Sequence, residues 1–530
     1  MNIRIRMFSA LTAGLVIFLS ALSAESSAEK DEFSIVLSDT GIITDCPSAS
    51  LHDSGITLTE EGSYKVSGTL TDGQILIDAS GDDKVKLILD NARITCKSAP
   101  AIYVLNAKKL VLSSEKDSVN TICSEMDTTS DDKADAAVNS HDDLNLNGEG
   151  CINVLAEYCD GIVSNDKLKV KSGTLSITAG GKGLVGKDAV TMEGGSLCIE
   201  AEDDAIHSND EILMQDGEVI ISTGDDGMHA DNILCIEGGT IEMDACYEGL
   251  EALSVQILGG KITIHASDDG INAAGGNDAS NAKGRFGGDP FQVEEGAEVC
   301  IAGGDLLIIA EGDGIDSNGS ISMSGGTVYI SGPVNTANGA LDCASTAEIS
   351  GGIIVAAGDA GMAEGFDSSS AQGSILYSFP AHYPAGTEVT LDSESGDVLA
   401  SYTPEKSFSS VAVSAPGLKS SGTYRLVVGE DEYSIEMNGI TYSNGRGHFG
   451  PGGEMPPQFP GDFGGKEGFS GERPAFHGTP PEGMTPERMT PDGLPPEGVP
   501  FDGLPFGGTP PMGEAPDFAA PPEKPMQENQ

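Results

Sequence analysis

The chain has 530 residues with 71 glycines, no tryptophan and only 5% aromatics, too little aromatic bulk for several conventional cores. Its 83 acidic residues against 28 basic ones give a formal charge of −55, which excludes nucleic-acid backbones and anionic lipid as default partners. Such a balance points to cations, and to an elongated repeat with many tight turns and a narrow aliphatic interior.

In chain order, Arg4 and Arg6 precede an apolar run from Met7 to Leu22, followed by small residues up to Ala28. That is the pattern of a secretory signal over residues 1–28, too short and wrongly flanked for an integral membrane span. The mature chain is therefore expected outside the cell, secreted or associated with the cell surface. A short lead-in over 29–49 comes next.

From about 50 to 370 the sequence repeats. Asp160-Gly-Ile, Lys182-Gly-Leu, Asp204-Ala-Ile, Asp226-Gly-Met and Glu248-Gly-Leu start 22 residues apart. Asp269-Gly-Ile follows 21 residues later and Asp313-Gly-Ile a further 44, which reads as two periods. Alternating pairs such as Leu168/Val170, Ile212/Met214 and Leu234/Ile236 fill one column, and Leu197/Ile199 and Val219/Ile221 another. Gly pairs separate the runs, as at Gly194-Gly195, Gly238-Gly239 and Gly325-Gly326. Period-2 alternation punctuated by glycine means strands. The fold class is all-β: a right-handed parallel β-helix with about 22 residues per coil, in which like residues stack in ladders. Lys133–Ala137 reads as a loop and 275–297 as an insertion.

Between 371 and 445 the period disappears, and runs such as Leu376-Tyr-Ser-Phe and Tyr424-Arg-Leu-Val-Val predict a small antiparallel β module that caps the open end. Residues 446–530 hold most of the 27 prolines, with a loose Pro-Glu-Gly-Met repeat, and are expected to be a disordered tail. Of the ten cysteines, Cys198, Cys235 and Cys300 sit in strand runs and read as small core residues. Cys235 and Cys300 fall three coils apart on this count, too far for a disulfide. Pairing among Cys46, Cys96, Cys123 and Cys343 stays open.

The chemistry lies in the residue that opens each coil. Asp160, Asp204, Asp226, Glu248, Asp269 and Asp313 recur there, with Asp203, Asp225 and Asp268 doubling three of them. Three positions on come His207, His229, Glu251, Asn272 and Asp316. Carboxylates stacked about 4.8 Å apart repel by roughly 3.5 kcal/mol at an effective dielectric of 20. Either their pKa values rise or cations sit between coils. Clustered carboxylates with Asn are hard oxygen ligands, so Ca²⁺ is the expected ion. Chelation should then lower stability, and acid should mimic chelation. His207 over His229 also suggests zinc, but no thiol or third His joins them. No nucleophile elbow, zinc-protease motif or P-loop is present. Lys182, Lys187, Lys283 and Arg285 are the bases that a lyase could use, although Lys182 reads first as a salt partner of neighbouring acids.

The runs Asp225-Asp-Gly-Met-His-Ala-Asp231, Cys246-Tyr-Glu-Gly-Leu-Glu251, Ser267-Asp-Asp-Gly-Ile-Asn-Ala-Ala-Gly-Gly276 and Gly312-Asp-Gly-Ile-Asp-Ser-Asn-Gly319 resemble a bacterial family of calcium-binding, carbohydrate-binding right-handed β-helix proteins. That family is polysaccharide-lyase-like, binds cellulose and pectic acid, and was formerly a domain of unknown function without established lyase activity. The resemblance spans about 40–445. It implies calcium ligands at Asp225, Asp226, Glu248, Glu251, Asp268, Asp269, Asn272, Asp313 and Asp316. The chain departs from the family at Lys182, where family coils carry an acid.

The expected function is therefore a secreted, calcium-dependent, non-catalytic protein that binds acidic polysaccharide such as polygalacturonate, or cellulose. Tyr247, Phe286 and Phe291 are its candidate sugar-stacking residues. The alternatives are a β-helix polysaccharide lyase using Ca²⁺ and a Lys or Arg base, and a structural surface or adhesin stalk.

Overall fold

The computed structural model describes residues 32–126, 135–274 and 293–445. The apolar leader, the Pro-rich tail, Lys283, Arg285, Phe286 and Phe291 lie outside the described residues. No helix among the described residues is long and apolar enough to cross a membrane.

The architecture is a parallel β-helix of about 12 turns, all strand and loop. Each regular coil contributes one strand to each of three ladders. Lys167–Val170, Thr174–Ala179 and Leu184–Gly186 make one coil, and Ala189–Met192, Ser196–Ala201 and Ile206–Ser208 the next. Register is parallel and in step: Leu168 pairs Val190, Leu175 pairs Leu197, and Leu184 pairs Ile206. The alternation explains the pointing. Leu234 and Ile236 are fully buried, and so are the residues stacked on them, Ile212 and Met214 before and Val255 and Ile257 after. Each buried Ile or Leu contributes about 1.5–3 kcal/mol, so the narrow aliphatic interior needs no large aromatic.

Glycine has two separate jobs here. In the turn pairs ending at Gly195, Gly239, Gly260, Gly304 and Gly326 the second glycine takes positive φ, from 98° at Gly195 to 84° at Gly326, which closes the turn between ladders. The glycines of the Asp-Gly steps have ordinary φ and are needed for space instead. A Cβ on Gly270 would lie 2.6 Å from the Gly314 carbonyl oxygen and 2.3 Å from Ile308 Cγ2.

Several expectations change. The ladder starts at Glu32–Leu37, which pairs in parallel with Gly62–Leu70, so the first coil precedes residue 50. Ala136–Ser140 is a strand, so the expected loop ends before Ala136. The 44-residue step is one coil and not two, because Ile271 pairs Ile315 directly and Gln256 pairs Cys300. Cys235 and Cys300 are thus two rungs apart, roughly 9.6 Å, still beyond disulfide reach. Cys198 is exposed and Cys235 and Cys300 half-buried: their neighbours point inward, so alternation turns the cysteines outward. All ten cysteines are free thiols, including Cys46, Cys96, Cys123 and Cys343.

The last coil does not end in an open edge. Ile353–Gly358 pairs antiparallel with Phe408–Ser414, which pairs in turn with Ser374–Tyr383. A separate four-stranded sheet of Val389–Asp392, Val398–Tyr402, Gly422–Val428 and Asp431–Met437 completes the module around its own core, which includes Phe379, Phe408 and Tyr424.

Candidate metal centre along the acidic ladder

The third ladder builds the site. Its inward residues Ile206, Met228, Leu250, Ile271 and Ile315 stack in register and are fully buried. They anchor the opening acid of each coil, which lies two residues earlier in the chain. Backbone bonds run through these acids: Ala205 N–H donates to the Asp226 carbonyl (2.9 Å), Gly227 to Glu248 (2.9 Å), Gly249 to Asp269 (3.0 Å) and Gly270 to Asp313 (2.9 Å). One coil-opening column therefore runs Asp160, Lys182, Asp204, Asp226, Glu248, Asp269, Asp313. The column three positions on runs His207, His229, Glu251, Asn272, Asp316 and then Asp342.

The carboxylates do more than line a face. Asp204 Oδ1 accepts the Asp226 N–H (3.2 Å), Asp226 Oδ1 the Glu248 N–H (3.2 Å), Asp269 Oδ1 the Asp313 N–H (2.6 Å) and Asp313 Oδ1 the Gly339 N–H (2.5 Å). Each acid satisfies a donor that the turn would otherwise leave unpaired. Sequence reasoning missed this role.

The ladder divides into two electrostatic halves. In the first, cations are built in. Lys182 Nζ lies 2.8 Å from Asp203 Oδ1 and in contact with Asp204 Oδ2, which also meets His207 Nδ1 at 2.9 Å. His229 Nδ1 lies 3.2 Å from Asp226 Oδ2 and 3.0 Å from Glu251 Oε2. Burial pushes the Asp204 carboxyl up, but His207 and Lys182 outweigh it and hold the group down at about 2. Burial alone would lower Lys182 and His229; their acidic neighbours, Asp204 foremost for Lys182 and Asp226 for His229, raise both. Asp160 is the exception, pushed up to about 7 by burial despite accepting the Lys182 N–H at 2.7 Å.

Among the described residues the second half has no such cation. Burial, then Asp226, pushes Glu248 up to about 9, although Asn272 Nδ2 donates to its Oε2 at 2.9 Å. Burial, then Asp316 and Asp268, takes Asp269 to about 8; burial and Asp269 take Asp313 to about 9; burial and Asp342 take Asp316 to about 7. Among the described residues no lysine, arginine or histidine forms a salt bridge with Asp269, Asp313 or Asp316. Asp269, Asp313 and Asp316 each offer a carboxylate oxygen, all within 4.8 Å of one another. That spread fits the 2.3–2.6 Å oxygen shell of Ca²⁺.

The predicted ligands thus fall into different places. Asp203, Asp204 and Asp225 also converge within 4.8 Å, but with the Lys182 ammonium on two of them. Asp226 and Glu251 face His229, and Glu248 faces Asn272. Asp268 is hydrogen-bonded to the half-buried Tyr247, a contact that raises the phenol and holds its ring beside the ladder. Asp342 was missed, although Gly339-Ala-Leu-Asp342 repeats the spacing of Asp313-Gly-Ile-Asp316 one coil further.

Residues 52–287 match the model of a family described as carbohydrate-binding domain-containing protein. A carbohydrate-binding domain-containing protein of Acetivibrio thermocellus is 36% identical over 135 residues, 24% of this chain and 47% of the relative. The chain thus spans about half the length of that curated relative. A solved structure of a polysaccharide lyase-like protein from C. thermocellum, a gadolinium derivative, aligns with 44% of this chain and 94% of that chain, at 25% identity and a TM-score of 0.39. By sequence, the stretch that carries the ladder from Asp160 to Asn272 is similar to a carbohydrate-binding domain, and the match stops before Asp313.

Proposed function

We propose that the chain is a secreted, non-catalytic polysaccharide-binding protein whose acidic ladder holds Ca²⁺, with acidic glycans such as polygalacturonate as its ligands. The observation that carries this reading is the Asp269–Asp313–Asp316 trio: three half-buried carboxylates facing one another with no protein cation among the described residues. Ca²⁺ takes six to eight oxygens, so three carboxylates leave coordination positions for water or for a uronate carboxylate. A bridging ion also answers how so acidic a surface holds an acidic sugar without tryptophan. Tyr247, bonded to Asp268 at the ladder's edge, supplies a stacking face beside it. The similarity of 52–287 to a carbohydrate-binding domain supports the sugar, and the Arg-then-apolar leader supports export.

The lyase reading has less support. A general base must lose its proton near working pH, and Lys182 is held protonated by Asp203 and Asp204. The test is a pull-down on polygalacturonate and on cellulose, with Ca²⁺ and with chelator, beside an assay for unsaturated products. Calcium-dependent retention without product supports the proposal; product formation replaces it with the lyase, and no retention on either glycan favours a stalk.

A further inference from the structure

The histidine step of the ladder differs chemically from the rest, and a second kind of ion fits it. We propose that Asp226, His229 and Glu251 form a separate site for a borderline divalent transition metal of the Zn²⁺ class, beside the all-oxygen Ca²⁺ trio. All three side chains are buried, at 1%, 8% and 0% exposure. The His229 Nδ1 lies 3.2 Å from Asp226 Oδ2 and 3.0 Å from Glu251 Oε2, and the three ligand atoms fall within 4.8 Å of one another. Around a tetrahedral ion with bonds of 2.0–2.2 Å, neighbouring ligand atoms lie about 3.3–3.5 Å apart, so an ion enters with sub-ångström adjustment. Asp204 Oδ2, 3.8 Å from the same nitrogen, is the next donor outward, with Lys182 and His207 already upon it.

Donor chemistry separates the two sites. Ca²⁺ takes oxygen, whereas imidazole with carboxylate selects Zn²⁺ and its neighbours. The far side of the ring is also arranged for a ligated histidine. Its Nε2 is buried without a hydrogen-bond partner and lies 3.8 Å from Asp231 Oδ1. A metal on Nδ1 fixes the proton on Nε2, and a small ring rotation toward Asp231 makes the carboxylate–histidine–metal arrangement that orients such ligands. Without metal, His229 Nδ1 already sits between the same two carboxylates, so the ion needs no new cavity.

The test uses the full chain, stripped with chelator and then held in excess Ca²⁺. Co²⁺ is added as the spectroscopic probe and Zn²⁺ as competitor. The expected result is one Co²⁺ per chain with the intense visible bands of a four-coordinate, nitrogen-ligated ion, displaced by Zn²⁺. His229→Gln should weaken Co²⁺ at least tenfold and leave Ca²⁺ binding intact; Asp313→Asn should do the reverse. Should His229→Gln fail to fold, Zn²⁺ added to the unmodified chain should move the His229 imidazole NMR signals before those of other histidines. Unchanged Co²⁺ affinity in a folded His229→Gln chain, an oxygen-only six-coordinate spectrum, His229 signals unmoved by Zn²⁺, or no binding in excess Ca²⁺ would overturn the proposal. Failure of Ca²⁺ at Asp313 alone would leave it standing.

Discussion

Asp313 donates its backbone N–H to Asp269 Oδ1 across 2.6 Å, joining two residues 44 apart in sequence as neighbours on consecutive coils. The contact leaves two half-buried carboxyl groups side by side: after desolvation, Asp269 pushes Asp313 upward, while Asp316 and Asp268 push Asp269 upward against the lowering effect of the Asp313 N–H. Two ways exist to relieve that repulsion: a proton, or a divalent cation.

Replacing Asp313 by Asn separates them. Without Ca²⁺, Asp313→Asn replaces a carboxyl that keeps its proton up to about pH 9 and removes a repelling charge only above it, so the melting temperature should hold near neutral pH and rise at the alkaline end. With Ca²⁺ the same change removes a ligand. A native-state site stabilises by about 2.7 kcal/mol at a hundredfold excess of ion over Kd, and most of that increment should disappear. Melting curves in chelator and in Ca²⁺ give the two signs; a variant equally destabilised in both would mean that Asp313 is only a hydrogen-bond acceptor.

The pH dependence of the metal-free chain has a definite sign. Glu248, Asp269, Asp313 and Asp316 have folded pKa values of about 9, 8, 9 and 7, all above the unfolded range near 4. Such groups stabilise fully below about pH 4, and that contribution is lost as pH rises through the folded values, by up to about 1.4 kcal/mol per pH unit for each uncoupled group. Asp204, held at about 2, works oppositely: its contribution is present above about pH 4 and lost as pH falls through 2. In chelator the melting temperature should therefore fall between pH 5 and 9, and Ca²⁺ should restore it most at the alkaline end. Acid thus differs from chelation, contrary to the expectation from stacked charges alone, because protonation removes the ion and the repulsion together. A metal-free melting temperature that rises over this range would contradict the assignment.

Lys182 can be exchanged for an ion. Lys182→Met keeps the chain length but leaves Asp203 and the buried Asp204 without their ammonium. Breaking a buried pair this way costs about 3 kcal/mol. Because Asp203, Asp204 and Asp225 oxygens already lie within 4.8 Å of one another, added Ca²⁺ should recover much of the loss and bind in one extra equivalent. Calorimetric titration checks the stoichiometry, and an unchanged number of ions would show that Lys182 does not stand in for calcium.

Much of this is legible in the sequence. The Gly pairs mark turns whose second residue takes positive φ, as at Gly195, Gly239 and Gly326. The aliphatic columns point inward as the alternation requires, and the acids share one ladder. The 44-residue step misled because residue counting cannot distinguish a missing coil from an inserted loop; only the pairing of Ile271 with Ile315 does. The cysteines misled because residue type was weighed above parity, and parity turns Cys198 outward. The division of the ladder was partly written in Lys182, but the hydrogen bonds from backbone N–H groups to Asp204, Asp226, Asp269 and Asp313 depend on coil-to-coil offset, which a period alone does not fix.

The most direct measurement is anomalous diffraction from crystals grown in Ca²⁺, phased without assuming any ion. A peak among the carboxylates of Asp269, Asp313 and Asp316, with none at the Lys182 ammonium between Asp203 and Asp204, is the predicted result. Peaks confined to the Asp203–Asp204–Asp225 group, or no peak at the Asp269–Asp313–Asp316 trio at saturating Ca²⁺, would contradict it.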